Sequence, residues 1–162
     1  MFCNSPSDVY ELGELKKGLG MPKILLVDDS DDWREDMEWA ARGADREIDT
    51  AKSAGEAIRK IDETRFDLVV TDLHIPDEEG GMPDIEGGMK VLDAAKAKDP
   101  YTQVIVCTAA GTNAISIRAM RQGAFDYLER VAVATAHLPM LKKKIELALE
   151  FRNAKLRATR KV

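Results

Sequence analysis

The stretch LVVTDLHIPDEEGG, residues 68–81, runs an apolar strand straight into Asp72, a proline turn and then a patch of acid and glycine. Apolar character at every position, rather than at alternate ones, marks a strand covered on both faces, as in a parallel sheet. A carboxylate at the end of such a strand costs desolvation and adds nothing to packing. Asp72 therefore calls for a reason beyond the core.

Working outward, KILLV (23–27), FDLVV (66–70), QVIVC (103–107) and FDYL (125–128) share this character, and REIDT (46–50) is a weaker strand. Helical segments with readable ends lie between them. Ser30 is placed to cap DDWREDMEWAAR, whose first-turn acids suit the helix dipole and whose end is marked by Gly43. Ser53 caps AGEAIRKIDET, with Glu56 completing a capping box. GMKVLDAAKAK, then TNAISIRAMRQ ended by Gly123, and a long helix from about His137 complete the set. Five βα units with helix-sized crossovers predict a doubly wound α/β sandwich.

The chain has 162 residues, 44% hydrophobic and 33% charged, enough for one compact domain and too few for two of ordinary size. No apolar run approaches the roughly 20 residues that span a bilayer, and the N-terminus lacks a signal-peptide pattern, so a cytoplasmic protein with no membrane partner is expected. Cys3 and Cys107 have neither the spacing nor the context of a metal site or disulfide and read as free thiols. The net charge is −5, yet residues 139–162 carry eight Lys or Arg against Glu146 and Glu150. An acidic body argues against nucleic acid as a partner.

In a doubly wound sheet, binding groups collect where strands end. Three ends matter here: Asp28 and Asp29 after the first strand, Asp72 after the third, and Thr108 after the fourth. A single such aspartate is most often a loop or capping acid. Three acids and a hydroxyl on one edge suit a hard cation such as Mg²⁺, and a carboxylate beside that cation suits phosphoryl chemistry, with its oxygen as acceptor.

These motifs, KILLVDDS (23–30), VVTDLHIP (69–76), VIVCTAAG (104–111) and GAFDYLER (123–130), resemble in order and spacing the CheY-like receiver domain of two-component response regulators. The resemblance covers about Met21 to Glu150 and implies a flavodoxin-like (βα)5 fold with a parallel sheet of strand order 2-1-3-4-5. It implies that Asp72 accepts a phosphoryl group from a sensor histidine kinase or phosphotransfer protein. Mg²⁺ would be bound by Asp29 and Asp72, by Asp28 largely through water, and by the backbone carbonyl of His74. Thr108 would bind a phosphoryl oxygen, and Tyr127 would change rotamer with it, reshaping the face of the fourth helix, fifth strand and fifth helix. The implied protein is a signalling switch that assists its own phosphorylation and dephosphorylation rather than a stand-alone enzyme.

The chain departs from that pattern in two places. Arg130 and Val131 stand where the family has lysine and proline; arginine keeps the charge and can fork onto phosphate, but its planar head is not a compact ammonium. The segment DEEGGMPDIEGG (77–88), with five acids, four glycines and a proline, exceeds the usual loop and reads as a flexible solvated insertion. A sharper reading makes it an acidic lid beside the metal site. His74, two residues after the acceptor, is expected to be exposed. Trp33 should sit near the acidic pocket and Trp39, six residues on, need not share its face.

Residues 1–20 read as a flexible extension, with Met21 as an ordinary domain start. At the other end Leu138, Leu141, Ile145, Ala148 and Leu156 form one stripe of a helix that should outlast the domain, its basic continuation spanning 151–162. It would lead to a downstream effector or absent output domain, or pair with a second copy. The competing reading is a pseudo-receiver, an interaction module that keeps the fold without phosphate control. A dehalogenase-like phosphohydrolase would need an acid where His74 stands, and the acids of DDSDD would repel the phosphate of a flavin nucleotide.

Overall fold

Successive apolar residues of the central strands send their side chains alternately to two separate cores. Leu25 and Val27 enter one with Val69, Val104 and Val106, while Ile24 and Leu26 enter the other with Leu68, Val70 and Ile105. This is why the strands read as unbroken apolar runs. The computed structural model describes residues 20–109, 111–130 and 137–160. The expectations for residues 1–19, including Cys3, and for Val131 lie outside the described residues.

In chain order the elements are β1 (Lys23–Val27), α1 (Asp31–Ala41), β2 (Glu47–Ala51), α2 (Ala54–Glu63), β3 (Leu68–Thr71), α3 (Ile85–Lys98), β4 (Gln103–Thr108), α4 (Asn113–Arg121), β5 (Asp126–Glu129) and α5 (His137–Arg160). The sheet order is β2-β1-β3-β4-β5, with all neighbouring strands parallel. This is the flavodoxin-like doubly wound sandwich expected from the sequence. One core lies under α2, α3 and α4 through Ala57, Ile61, Met89, Leu92 and Ala119. The other lies under α1 and α5 through Met37, Ala40, Leu141, Ile145 and Ala148. No helix among the described residues is long and apolar enough to cross a membrane.

Helix ends follow local chemistry, with three differences from the sequence reading. Ser30 and Ser53 cap α1 and α2 as expected, accepting from the Trp33 and Glu56 amides. Glu56, however, accepts from the Lys52 amide, one residue before the cap, so the box is displaced. Helix α1 ends at Arg42 with φ −56° and ψ 136°, and Gly43 is not left-handed. Its missing side chain instead makes room for Arg46, whose Nε would lie 2.9 Å from a Cβ there. Gly123 does adopt φ 103° after α4, the conformation that favours glycine.

The third difference concerns α3. Asp84 caps it, accepting from the Glu86 and Gly87 amides, so the helix begins at Ile85 and takes in the last four residues of the segment read as an insertion. Gly87 and Gly88 are helical residues at a close approach. A Cβ at Gly88 would lie 2.3 Å from Leu73 Cα and 2.4 Å from the Asp72 carbonyl oxygen, and the Gly88 amide donates to the Leu73 carbonyl at 2.9 Å. These glycines press α3 against the loop that carries Asp72.

Helix α5 buries His137, Leu141, Ile145, Ala148, Leu149 and Arg152, with Leu138 and Leu156 only half-buried. Arg152 fastens it to the opposite edge of the sheet: Nη2 donates to Asp99 at 3.2 Å, and Nε lies 3.0 Å from Asp67 without the alignment of a hydrogen bond. Near its end, the Thr159 hydroxyl still meets the Tyr101 hydroxyl at 2.9 Å. The helix thus stays in touch with the domain almost to its last turn.

Candidate functional site

The backbone ladder brings the acids together. Val27 pairs with Thr71, the Asp28 amide donates to Ala51, and the Asp72 amide donates to the Val27 carbonyl at 2.9 Å. Asp28 and Asp72 therefore leave adjacent strands at one level. Asp28, Asp29 and Asp72 each offer a carboxylate oxygen, all within 4.8 Å of one another. Asp28 and Asp72 are buried, whereas Asp29 is exposed and leaves the cluster open on one side.

Arg130 enters this cluster from the end of β5. Its Nη2 donates to Asp28 Oδ2 at 2.6 Å, and its Nη1 lies 3.8 Å from Asp72 Oδ2. Its Nε points at the Cys107 sulfur, 3.4 Å away, and its guanidinium carbon sits 4.2 Å from the centre of the Trp33 ring. The other Asp28 oxygen accepts the Ser30 amide at 2.9 Å, so the protein itself engages both. Burial pushes the Asp28 carboxyl above its ordinary range, raised further by Asp72 and opposed by Arg130 and the Ser30 amide. Burial pulls the Arg130 guanidinium down, but its sulfur and carboxylate neighbours outweigh that and hold it above its ordinary value. Burial also raises the Cys107 thiol.

Thr108 is fully buried at the end of β4, opposite Glu129, and its carbonyl accepts the Arg130 amide at 2.9 Å. Tyr127 is half-buried against the α2–α4 core, with its hydroxyl enclosed and without a hydrogen-bond partner. A Cβ at Gly111 would lie 1.9 Å from that hydroxyl, so the glycine forms the slot the ring occupies. The His74 side chain is exposed as expected, and its amide donates to Asp72 Oδ1 at 3.3 Å.

Several neighbours escaped the sequence reading. Arg34 is buried and donates to the Asp28 carbonyl at 2.7 Å, bracing the strand end. His137, first residue of α5, packs tilted against Trp33 with ring centres 5.1 Å apart. The only local signal was the helical spacing of Arg34 from Ser30, which does not tell a buried arginine from an exposed one.

The segment after β3 is built into the domain. The Ala54 and Gly55 amides donate to Pro76 and Asp77 carbonyls at 2.9 and 2.7 Å. Asp77 pairs with Lys90, Glu78 with Arg59 and Glu79 with Lys52. Three of its acids are thus matched by bases of this chain, and Ile75 bridges to Asp84 across the loop.

Comparison with known proteins agrees with this architecture. A family model described as "Response regulator receiver domain" matches residues 24–136. The chain is 31% identical over 124 residues to the chemotaxis protein CheY of Listeria monocytogenes serovar 1/2a, covering 76% of this chain and 98% of that protein. It is 32% identical over 111 residues to the transcriptional regulatory protein PrrA of Mycobacterium leprae, covering 68% of this chain but only 44% of that longer protein. The crystal structure of the response regulator domain of Thermotoga maritima CheB superposes with a TM-score of 0.67 at 26% identity, covering 80% and 97% of the two chains. A parallel sheet with acids gathered at its carboxyl edge, matched along most of its length by these proteins, makes this chain a member of the response regulator receiver family of two-component signalling.

Proposed function

We propose that Asp72 is the phosphoacceptor of this receiver and that phosphorylation biases the face formed by α4, β5 and α5. The observation that carries this reading is the convergence of Asp28, Asp29 and Asp72, their carboxylate oxygens within 4.8 Å of one another, beside a buried cation, Arg130, that pairs with Asp28 and faces Asp72. A phosphohistidine of a sensor kinase or phosphotransfer protein is the donor. An Asp72 oxygen attacks phosphorus as the P–N bond breaks, and the electron pair leaves with the imidazole nitrogen, which takes up a proton. Arg130 places positive charge beside the acceptor, where charge on the transferring group is stabilised.

The donor set fits Mg²⁺: all oxygen, on rigid strand ends, with one exposed acid through which a hydrated ion can enter. Asp29, Asp72 and the His74 carbonyl would hold it, with Asp28 acting through water because both its oxygens are already engaged. The bound ion would supply charge neutralisation to the phosphoryl oxygens. Thr108 and Tyr127 transmit the change, Thr108 binding a phosphoryl oxygen and Tyr127 moving with it. Downstream, the reshaped face would meet an effector, an output domain or a second copy, in the cytoplasm.

The test is intact mass after incubation with Mg²⁺ and a small phosphodonor, comparing wild type with Asp72→Asn. A single phosphoryl adduct on wild type alone is expected. One observation favours a second reading: Arg130 already satisfies Asp28, as a pseudo-receiver locked without phosphate would. No adduct on wild type, even with a phosphohistidine donor, selects that reading.

A further inference from the structure

Arg130 reaches the acids with the edge of its guanidinium and lays one face against an indole. Its side chain is 2% exposed, and a planar cation so deeply buried needs a partner for its face as well as for its edge. The edge is met by Asp28, Cys107 and, more distantly, Asp72. The face is met by the indole of Trp33, 4.2 Å from the guanidinium carbon, within the range of a cation–π contact.

Trp33 is itself held from a second element. His137 packs against it with ring centres 5.1 Å apart and an interplanar angle of 47°. His137 is 8% exposed, and neither of its ring nitrogens has a hydrogen-bond partner, so its ring serves as packing surface. A series of packed groups therefore runs from the first residue of α5, through the third residue of α1, to the end of β5 and the acids. No other element contributes an aromatic ring contact to the guanidinium among the described residues.

We propose that Trp33 is a positioning residue for Arg130. The indole restricts the guanidinium to the plane in which Nη2 meets Asp28 and Nη1 faces Asp72, so that an arginine at this position serves as the resident cation of the acceptor pocket. The kinetic part of this inference rests on the assignment of Asp72 as acceptor; the placement of Arg130 does not. Leucine at position 33 fills space but offers no π face, leaving the long side chain free to sample other rotamers. Phenylalanine keeps a smaller face in the same place.

The experiment follows two signals in the full chain. In side-chain ¹⁵N spectra, an Arg130 guanidinium held in one plane against Asp28 is expected to give a resolved, slowly exchanging Nη–H resonance in wild type. Trp33→Leu should lose it to free rotation and exchange, and Trp33→Phe should keep it in part. Phosphoryl uptake from a small donor with Mg²⁺ is expected to slow about tenfold in Trp33→Leu, recover substantially in Trp33→Phe, and fall no further when Trp33→Leu is added to Arg130→Met.

An Arg130 resonance unchanged by Trp33→Leu overturns the proposal. So does a Trp33→Leu uptake rate equal to wild type, or a loss in the double variant that multiplies the two single losses. If wild type takes up no phosphoryl group, the acceptor reading fails, and the resonance alone then decides whether Trp33 positions Arg130.

Discussion

Arg130 Nη2 lies 2.6 Å from Asp28 Oδ2, with 2% and 1% of the two side chains exposed. Two charges removed from water to this extent are mutually dependent: each offsets part of the other's desolvation, and neither is tolerated alone.

Arg130→Met leaves Asp28 buried beside Asp72 without its countercharge, with the Ser30 amide still donating to it. A loss of about 3–5 kcal/mol in urea unfolding is expected at neutral pH, with at least half recovered when Asp28→Asn is added. The pH dependence has a definite sign. Burial already raises the Asp28 carboxyl, and removing Arg130 takes away the main charge holding it down. A group with a raised folded-state value contributes stability in acid and loses it as pH rises through that value. The deficit of Arg130→Met should therefore shrink as pH is lowered towards the carboxylate range; a deficit that grows in acid contradicts this account.

Gly88→Ala places a methyl group 2.3 Å from Leu73 Cα, where only backbone can yield. Helix α3 or the loop that carries Asp72 must move. Destabilisation of about 1–3 kcal/mol is expected, with weaker Mg²⁺ binding by calorimetry because Asp72 and the His74 carbonyl lie on that loop. Normal Mg²⁺ affinity in a measurably destabilised Gly88→Ala would separate the packing from the site.

Gly111→Ala brings a methyl group onto the Tyr127 hydroxyl, 1.9 Å from it in the present geometry. The ring is expected to leave its slot, seen as altered Tyr127 ring resonances and greater exposure. The enclosed hydroxyl has no hydrogen-bond partner, so its departure forfeits only packing, and a stability change of no more than about 2 kcal/mol is expected. Unaltered Tyr127 resonances would show that the loop, rather than the ring, gives way.

The acidic segment after β3 is held chiefly by backbone. Its ion pairs with Lys52, Arg59 and Lys90 are exposed, and each is expected to contribute less than about 1 kcal/mol. Gly55→Ala is different, since its Cβ would fall 2.7 Å from the Asp77 carbonyl and 2.3 Å from a Glu78 oxygen. Hydrogen exchange at residues 76–84 should rise in Gly55→Ala and stay near wild type in Arg59→Ala or Lys90→Ala. Equal effects would assign the loop's order to its charges.

Much of the molecule was legible along the chain because its causes are local. Apolar runs, capping serines and a glycine after α4 report the conformations of neighbouring residues, and the strand ends in turn report where acids must gather. Asp28, Asp29 and Asp72 could be read in this way because the sheet edge is a property of topology, which helix-sized crossovers already constrain. The placement of Arg130 could not. Its partner Asp28 is 102 positions away, and its Trp33 platform depends on how α1, β5 and the start of α5 pack together. Likewise Gly87 looks like a loop residue in sequence and Gly88 like a helix start, yet both lie inside α3, because the need for glycine arises from a surface brought against them. Sequence by itself determined the sheet, its covered faces and the acidic edge, and family resemblance named Arg130 as its cation; only tertiary packing decided how that cation sits among the acids and what holds it there, since buried charge is settled by neighbours distant in the chain.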